Sequence, residues 1–143
     1  HGVITEDSGT INQPIGRSRT NRMKMAIDIM NGKRAVTHYR VLERYKDYTY
    51  VECQLETGRT HQIRVHLSSI GHPILGDTVY GGGKTKFEKQ NDGLISGQAL
   101  HAWRLTLTHP RSGELMHFES ALPGNFEALL CKLRIAAHTV GEL

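Results

Sequence analysis

Cysteine is scarce in this chain of 143 residues: it has two, Cys53 and Cys131. They do not make a disulfide framework, because Cys53 falls in a predicted strand and Cys131 in a predicted helix. Both are expected to be reduced, buried thiols. Long apolar runs are absent too. The longest span a few residues, far short of the roughly 20 that a membrane crossing needs, and the N-terminus has no charged-then-apolar signal pattern. A cytoplasmic protein with no membrane partner is expected. Nine histidines occur without any H-x-x-x-H or C-x-x-C spacing. His61 and His66 are five apart, diverge by about 140° around a helix and cannot converge on one ion, so no metal is expected. No G-x-S-x-G elbow supports serine-histidine hydrolysis. The triple glycine Gly81-Gly82-Gly83 before Lys84 misses the G-x-x-x-x-G-K-[ST] spacing, and no clear strand runs into it, which argues against a phosphate loop.

What remains is a composition of 38% hydrophobic and 22% charged residues, suited to one compact domain and unlike a disordered chain or a coiled coil. The net charge of +4 and pI near 9.2 fit a polyanionic partner weakly. The distribution says more, since Arg17, Arg19, Arg22 and Lys24 fall in one short segment.

Taken in order, residues 1–15 read as the tail of a strand, a turn at Thr5 to Gly9 and a short edge strand ending at Pro14. The segment from Gly16 to Asn21 is polar and irregular. Met25, Ile27 and Ile29 alternate with polar or small neighbours, predicting a half-buried strand. Asn31-Gly32 then reads as a hairpin turn, after which Ala35 to Tyr45 pairs back. A turn at Lys46-Asp47 leads to a third strand with Thr49, Val51, Cys53 and Leu55 on its apolar face. The stretch from Gly81 to Gly97 is glycine-rich and charged, and is expected to be a long mobile loop with a short helical piece. Two strands, Leu100 to His109 and Leu115 to Ala121, flank the turn at Pro110 to Gly113. A last helix starts at Gly124-Asn125 with Phe126, Leu129, Leu130 and Leu133 on one face. No internal repeat is evident. The fold class expected is α+β, with a mainly antiparallel or mixed sheet and packed helices.

The chain is organised around Leu55 to Tyr80, LETGRTHQIRVHLSSIGHPILGDTVY. Thr60 suits an N-cap, Ile63, Leu67 and Ile70 recur on one helical face, and Gly71 and Pro73 stop the helix. Arg59 and Arg64 then lie near a helix N-terminus, where free N–H groups favour negative charge. Ile74 and Leu75 should anchor the following connection in the core, and Asp77 should hold it through turn hydrogen bonds.

The string E-T-G-R-T-H-Q-I-R-V-H-L, with G-H-P-I-L-G-D-T-V-Y-G after it, closely resembles the C-terminal catalytic motif of the RluA/RluD-type family of RNA pseudouridine synthases. The resemblance continues in K-R-A-V-T-H-Y-R-V-L-E from Lys33 and in Q-A-L-H-A-W-R-L-T-L-T-H-P-R-S-G-E-L-M-H-F-E-S-A-L-P from Gln98. It implies isomerisation of uridine to pseudouridine in structured RNA, ribosomal RNA foremost, with no cofactor and no metal. The family's nucleophilic aspartate lies in an H-R-L-D segment, and no H-R-L-D occurs in this sequence. Residues 1–143 are therefore expected to be the C-terminal portion of a single catalytic domain, inactive alone and monomeric when intact. A non-catalytic RNA-binding module derived from the same fold is the alternative.

Carried over by motif, Arg64 is the arginine that pairs with that aspartate. A carboxylate in a pocket dry enough for uracil needs a cation to stay ionised. Ile63 and Leu67 wall the pocket or the core. Arg59 meets phosphate or makes a structural bond to its loop, and Arg17, Arg19, Arg22 and Lys24 track an RNA backbone or form a solvated loop. Lacking the aspartate, Arg64 is expected in a water-accessible groove, holding an anion, or paired with a substitute acid.

Overall fold

The computed structural model describes residues 1–95 and 97–141. Its elements are strands and helices packed as an α+β fold, as the residue pattern predicts. Strands β1 (Ser8–Asn12), β4 (Val36–Arg44) and β5 (Thr49–Leu55) form an antiparallel sheet in the order β1-β4-β5. Strands β2 (Ile15–Arg17) and β3 (Met25–Ile27) make a second, two-stranded sheet. Strands β6 (Arg104–Thr108) and β7 (Leu115–Glu119) make a third. The helices are α1 (Gln62–Ser69), α2 (Lys86–Gln90) and α3 (Gly124–Gly141), with a 3-10 turn at Asp92–Leu94. Among the described residues no helix is long and apolar enough to cross a membrane.

The predicted hairpin at Asn31-Gly32 does not form. Strand β3 pairs with β2, with Arg17 opposite Met25, while β4 pairs with β1 and β5. Asp28 explains the difference. Its Oδ1 accepts from the N–H groups of Met30 and Asn31, and its carbonyl from Gly32. These bonds close a turn directly after Ile27, which leaves Ile29 75% exposed instead of in a strand. Lys33 then bridges to Ile15.

Three small clusters share the core. Ile74 and Leu75 are both buried, as their position between two glycines predicts, but they serve different clusters. Leu75 joins Tyr45, Tyr48, Leu129, Leu130 and Leu133 under α3, whereas Ile74 joins Ile11 and Leu67. Val65 packs with Ile15 and Ala35 in the third. Helix α1 therefore buries Val65, His66 and Leu67 together. Ile70, expected on its core face, is 38% exposed because it sits at the cap, past the last helical turn. A bidentate pair from Arg134 to Glu43, both bonds 2.8 Å, ties α3 to β4.

The region from Gly81 holds the helical piece expected there. Thr85 and Glu88 close a capping box on α2, and the buried Glu88 accepts from the N–H of Gly76 at 3.1 Å. Neither cysteine is in a disulfide, and only one is shielded. Burial pushes the Cys53 thiol up to about 11, but Cys131 is exposed because α3 turns it away from the Leu129, Leu130 and Leu133 side.

Gly71 and Gly76 both have φ near +80°, yet an added Cβ meets nothing within 4 Å at Gly71 and runs into the carbonyl oxygen of Gly97 at Gly76. Alanine at either position should cost the left-handed penalty of about 1–2 kcal/mol. Urea unfolding of the two variants should show the larger loss at Gly76→Ala, and equal losses would refute this packing.

Candidate active site

The start of α1 is built differently from a serine- or threonine-capped helix. Thr60 makes no cap. The cap position is His61, in the left-handed conformation at φ 55° and ψ 24°, and no side chain caps the helix. Gln62 takes over the organising role. Its Oε1 accepts from the Arg59 N–H and the Thr57 hydroxyl, and its Nε2 donates to Val36 O and Thr37 Oγ1. Thr37 in turn bonds His66 Nδ1 at 2.8 Å, and His66 Nε2 lies 2.9 Å from the carbonyl of Gln13. A carbonyl only accepts, so Nε2 carries the proton and Nδ1 receives the threonine's. This buried chain fixes α1 on β4 and on the β1–β2 link. His61 and His66 are thus employed separately, and among the described residues no group of acids, cysteines and histidines is placed to hold a metal.

With α1 fixed, Arg64 points at the loop after Leu75. Its Nε donates to Asp77 Oδ2 at 2.8 Å and its Nη2 to Oδ1 at 3.0 Å. The Arg64 side chain is 12% exposed and that of Asp77 is fully buried. Of the three expectations for Arg64, pairing with an acid inside the chain is the one realised. Asp77 Oδ1 also accepts from the N–H groups of Val79 and Tyr80, so the predicted turn bonds are present on the same carboxylate. Burial works to raise the Asp77 carboxyl, but the guanidinium and the two N–H groups outweigh it and hold it below the usual range. The same fork raises Arg64.

Tyr80 closes the other side. The Arg64 guanidinium lies 4.9 Å from its ring centroid and the Lys24 ammonium 5.9 Å from it. Its hydroxyl accepts from the Met25 N–H at 2.9 Å and is 2.8 Å from His61 Nδ1. Ile63 and Leu67, offered as pocket or core, lie in the core cluster with Ile11 and Ile74.

Beside this group an open cleft of about 440 Å³ separates β2 and β3 from the turn before α1. Arg17, Lys33 and Arg59 line it with Ile15, Met25 and Thr60, and no acid does. The four-residue basic segment is thereby divided. Arg17 reaches the cleft while its Nη1 donates to Arg22 O, Lys24 turns to Tyr80, and Arg19 and Arg22 are exposed on the loop. Arg59 both faces the cleft and bonds Arg34 O at 2.8 Å, so it has the structural bond and a place where an anion can reach it. Lys33 and Tyr80 carry no site signal in the sequence. Lys33 is brought in by its bridge to Ile15, and Tyr80 by the Asp77 turn; neither signal is periodic.

Comparison with known proteins places these features in context. Residues 3–69 match the family described as RNA pseudouridylate synthase. An uncharacterized RNA pseudouridine synthase, YlyB, of Bacillus subtilis is 52% identical over 134 residues, covering 94% of this chain and 42% of the relative. Ribosomal large subunit pseudouridine synthase D of Nitrosomonas europaea is 50% identical over 137 residues, covering 94% and 39%. The chain therefore spans about two fifths of the length of these relatives. Among solved structures, human RNA pseudouridylate synthase domain containing 1 superposes with a TM-score of 0.72 at 29% identity, over 96% of this chain and 62% of that one.

The Asp77 carboxyl titrates lower in the folded protein than in the unfolded chain. The unfolded state then binds more protons in that window, so the pair's stabilisation is complete above the ordinary carboxylate range and fades as pH falls through the lowered folded value. Asp77→Asn should remove that part of the acid slope in urea unfolding and cost about 3–5 kcal/mol at neutral pH, as for one member of a buried pair. An unchanged slope would contradict the assignment.

Proposed function

Since this chain belongs to the RluA/RluD-type family of RNA pseudouridine synthases, we propose that it is the Arg64-bearing, C-terminal portion of a catalytic domain that isomerises uridine to pseudouridine in structured RNA. Large-subunit ribosomal RNA is the substrate, a reading supported by the similarity to ribosomal large subunit pseudouridine synthase D of Nitrosomonas europaea. In this reaction the N1–C1′ bond breaks, a C5–C1′ bond forms, the proton on C5 leaves to solvent, and N1 takes up a proton in its place. Electrons balance without an oxidant or reductant.

The observation that carries the reading is the geometry of Arg64. A guanidinium has five N–H donors in a rigid fork, and the bonds to Asp77 use two of them. Asp77 and the Tyr80 ring hold the group in place, and the remaining donors suit a second carboxylate. The family's nucleophilic aspartate is such a group. An arginine donating to it keeps it ionised in a pocket dry enough to hold a flipped uracil. Asp77, spent on Arg64 and two backbone N–H groups, is a poor nucleophile.

The cleft serves the RNA backbone. Arg17, Lys33 and Arg59 offer charge-assisted bonds to phosphate, and Arg19 and Arg22 extend the positive surface. Such contacts fix register and carry no sequence information. Choice of uridine then rests on RNA shape and on parts of the enzyme outside these residues.

Release of tritium from C5-labelled uridine in unmodified ribosomal RNA tests the assignment. The intact enzyme should release it and the 143-residue chain alone should stay at background. In the intact enzyme Arg64→Lys, which keeps the charge and loses the fork, should lower turnover far more than RNA affinity. Activity of the chain alone would place a nucleophile within it and make Asp77 the first candidate.

A further inference from the structure

The geometry points to Tyr80 as a positioning residue that couples the basic cleft to Arg64, an inference that rests on the synthase reading above. Three observations meet at this side chain. First, its hydroxyl accepts from the N–H of Met25 at 2.9 Å, and Met25 both lines the cleft and is the register partner of Arg17. A ligand that shifts Arg17 therefore acts on the strand that Tyr80 holds. Second, the ring lies under the Arg64 guanidinium, 4.9 Å from centroid to Cζ, while the Tyr80 N–H donates to the carboxylate that Arg64 grips. Ring and backbone thus constrain both halves of the pair.

Third, the hydroxyl also meets His61 Nδ1 at 2.8 Å, and the rings stand edge to face with centroids 5.5 Å apart. Having accepted from Met25, the hydroxyl still has its own proton, and with His61 in the Nε2–H tautomer it donates that proton to Nδ1. His61 is the one non-glycine among the described residues with positive φ, and it opens the helix that carries Arg64. Residues with a side chain occupy that conformation at a cost, and persist in it where surrounding contacts over-determine them. Tyr80 supplies such a contact. The hydroxyl therefore joins the cleft wall to the cap residue of α1, and the ring joins both to the guanidinium about one turn further on.

A positioning role of this kind appears in turnover and not in binding, because phosphate contacts in the cleft survive loss of the hydroxyl. Tyr80→Phe keeps the ring under Arg64 and deletes both hydroxyl bonds. In the intact enzyme, assayed well below its unfolding temperature, it should lower kcat about tenfold with KM for RNA unchanged, as expected when a group acting only on the reacting geometry is lost. His61→Ala, which removes one partner of the hydroxyl and leaves Tyr80 in place, should shift kcat in the same direction. A readout independent of turnover is the ¹⁵N resonance and solvent exchange of the Arg64 Nε–H, which should change in Tyr80→Phe. An unchanged kcat, or a raised KM with kcat intact, overturns the inference, and so does an unaltered Nε–H signal. A wild-type enzyme that releases no tritium sinks the synthase reading instead, and the Nε–H measurement still decides whether Tyr80 positions Arg64.

Discussion

A guanidinium on a short helix and a fully buried carboxylate thirteen residues later hold each other by two parallel bonds, and much of this region follows from that geometry. Taking Asp77 out of water is costly unless its lone pairs are filled. Arg64 fills two directions and the N–H groups of Val79 and Tyr80 fill two more. The loop from Ile74 to Tyr80 is thereby wrapped around one carboxylate. Its apolar beginning is pinned in two core clusters through Ile74 and Leu75, and its end delivers the Tyr80 ring to Arg64. For the fork to form at all, α1 must be fixed in rotation, which the buried relay from Gln62 through Thr37 to His66 accomplishes.

The chemistry open to the site follows from what the fork leaves over. An arginine saturated by one carboxylate on a flexible loop would be a structural clamp. Here the Arg64 side chain is 12% exposed, its guanidinium carries three further donors, and through the Tyr80 ring and the Tyr80–Met25 bond it is linked to a cleft that presents cations and no acid. Positive potential concentrated by low-dielectric walls attracts a polyanion and holds an added carboxylate ionised. These two tasks are the ones proposed for the family's reaction on RNA.

Several of these features were legible in the residues because they are local. Gly71 ends α1, the Asp77 turn bonds follow from an acid two and three residues before free N–H groups, and the spacing of Leu129, Leu130 and Leu133 gives the buried side of α3. The features that stayed hidden depend on distant partners. Thr60 looks like a cap by type, but Gln62 finds Val36 and Thr37, more than twenty residues away, and the chain enters the helix through a left-handed His61 instead. Asn31-Gly32 has hairpin composition, yet Asp28 closes the turn first and Lys33 returns to Ile15. Arg64 was marked by its motif, whereas its partner was not, since no periodicity links a helix residue to a loop carboxylate. Lys33 and Tyr80 enter the site only through three-dimensional packing.

The claim beneath this account is that Arg64 and Asp77 act as one unit. A double-mutant cycle in urea unfolding, with Arg64→Met, Asp77→Asn and the pair together, measures it directly. The account predicts that the double variant is less destabilised than the sum of the single ones by roughly 1–3 kcal/mol, the range for groups in direct contact. Additivity to within about 0.5 kcal/mol, the behaviour of independent sites, would contradict it.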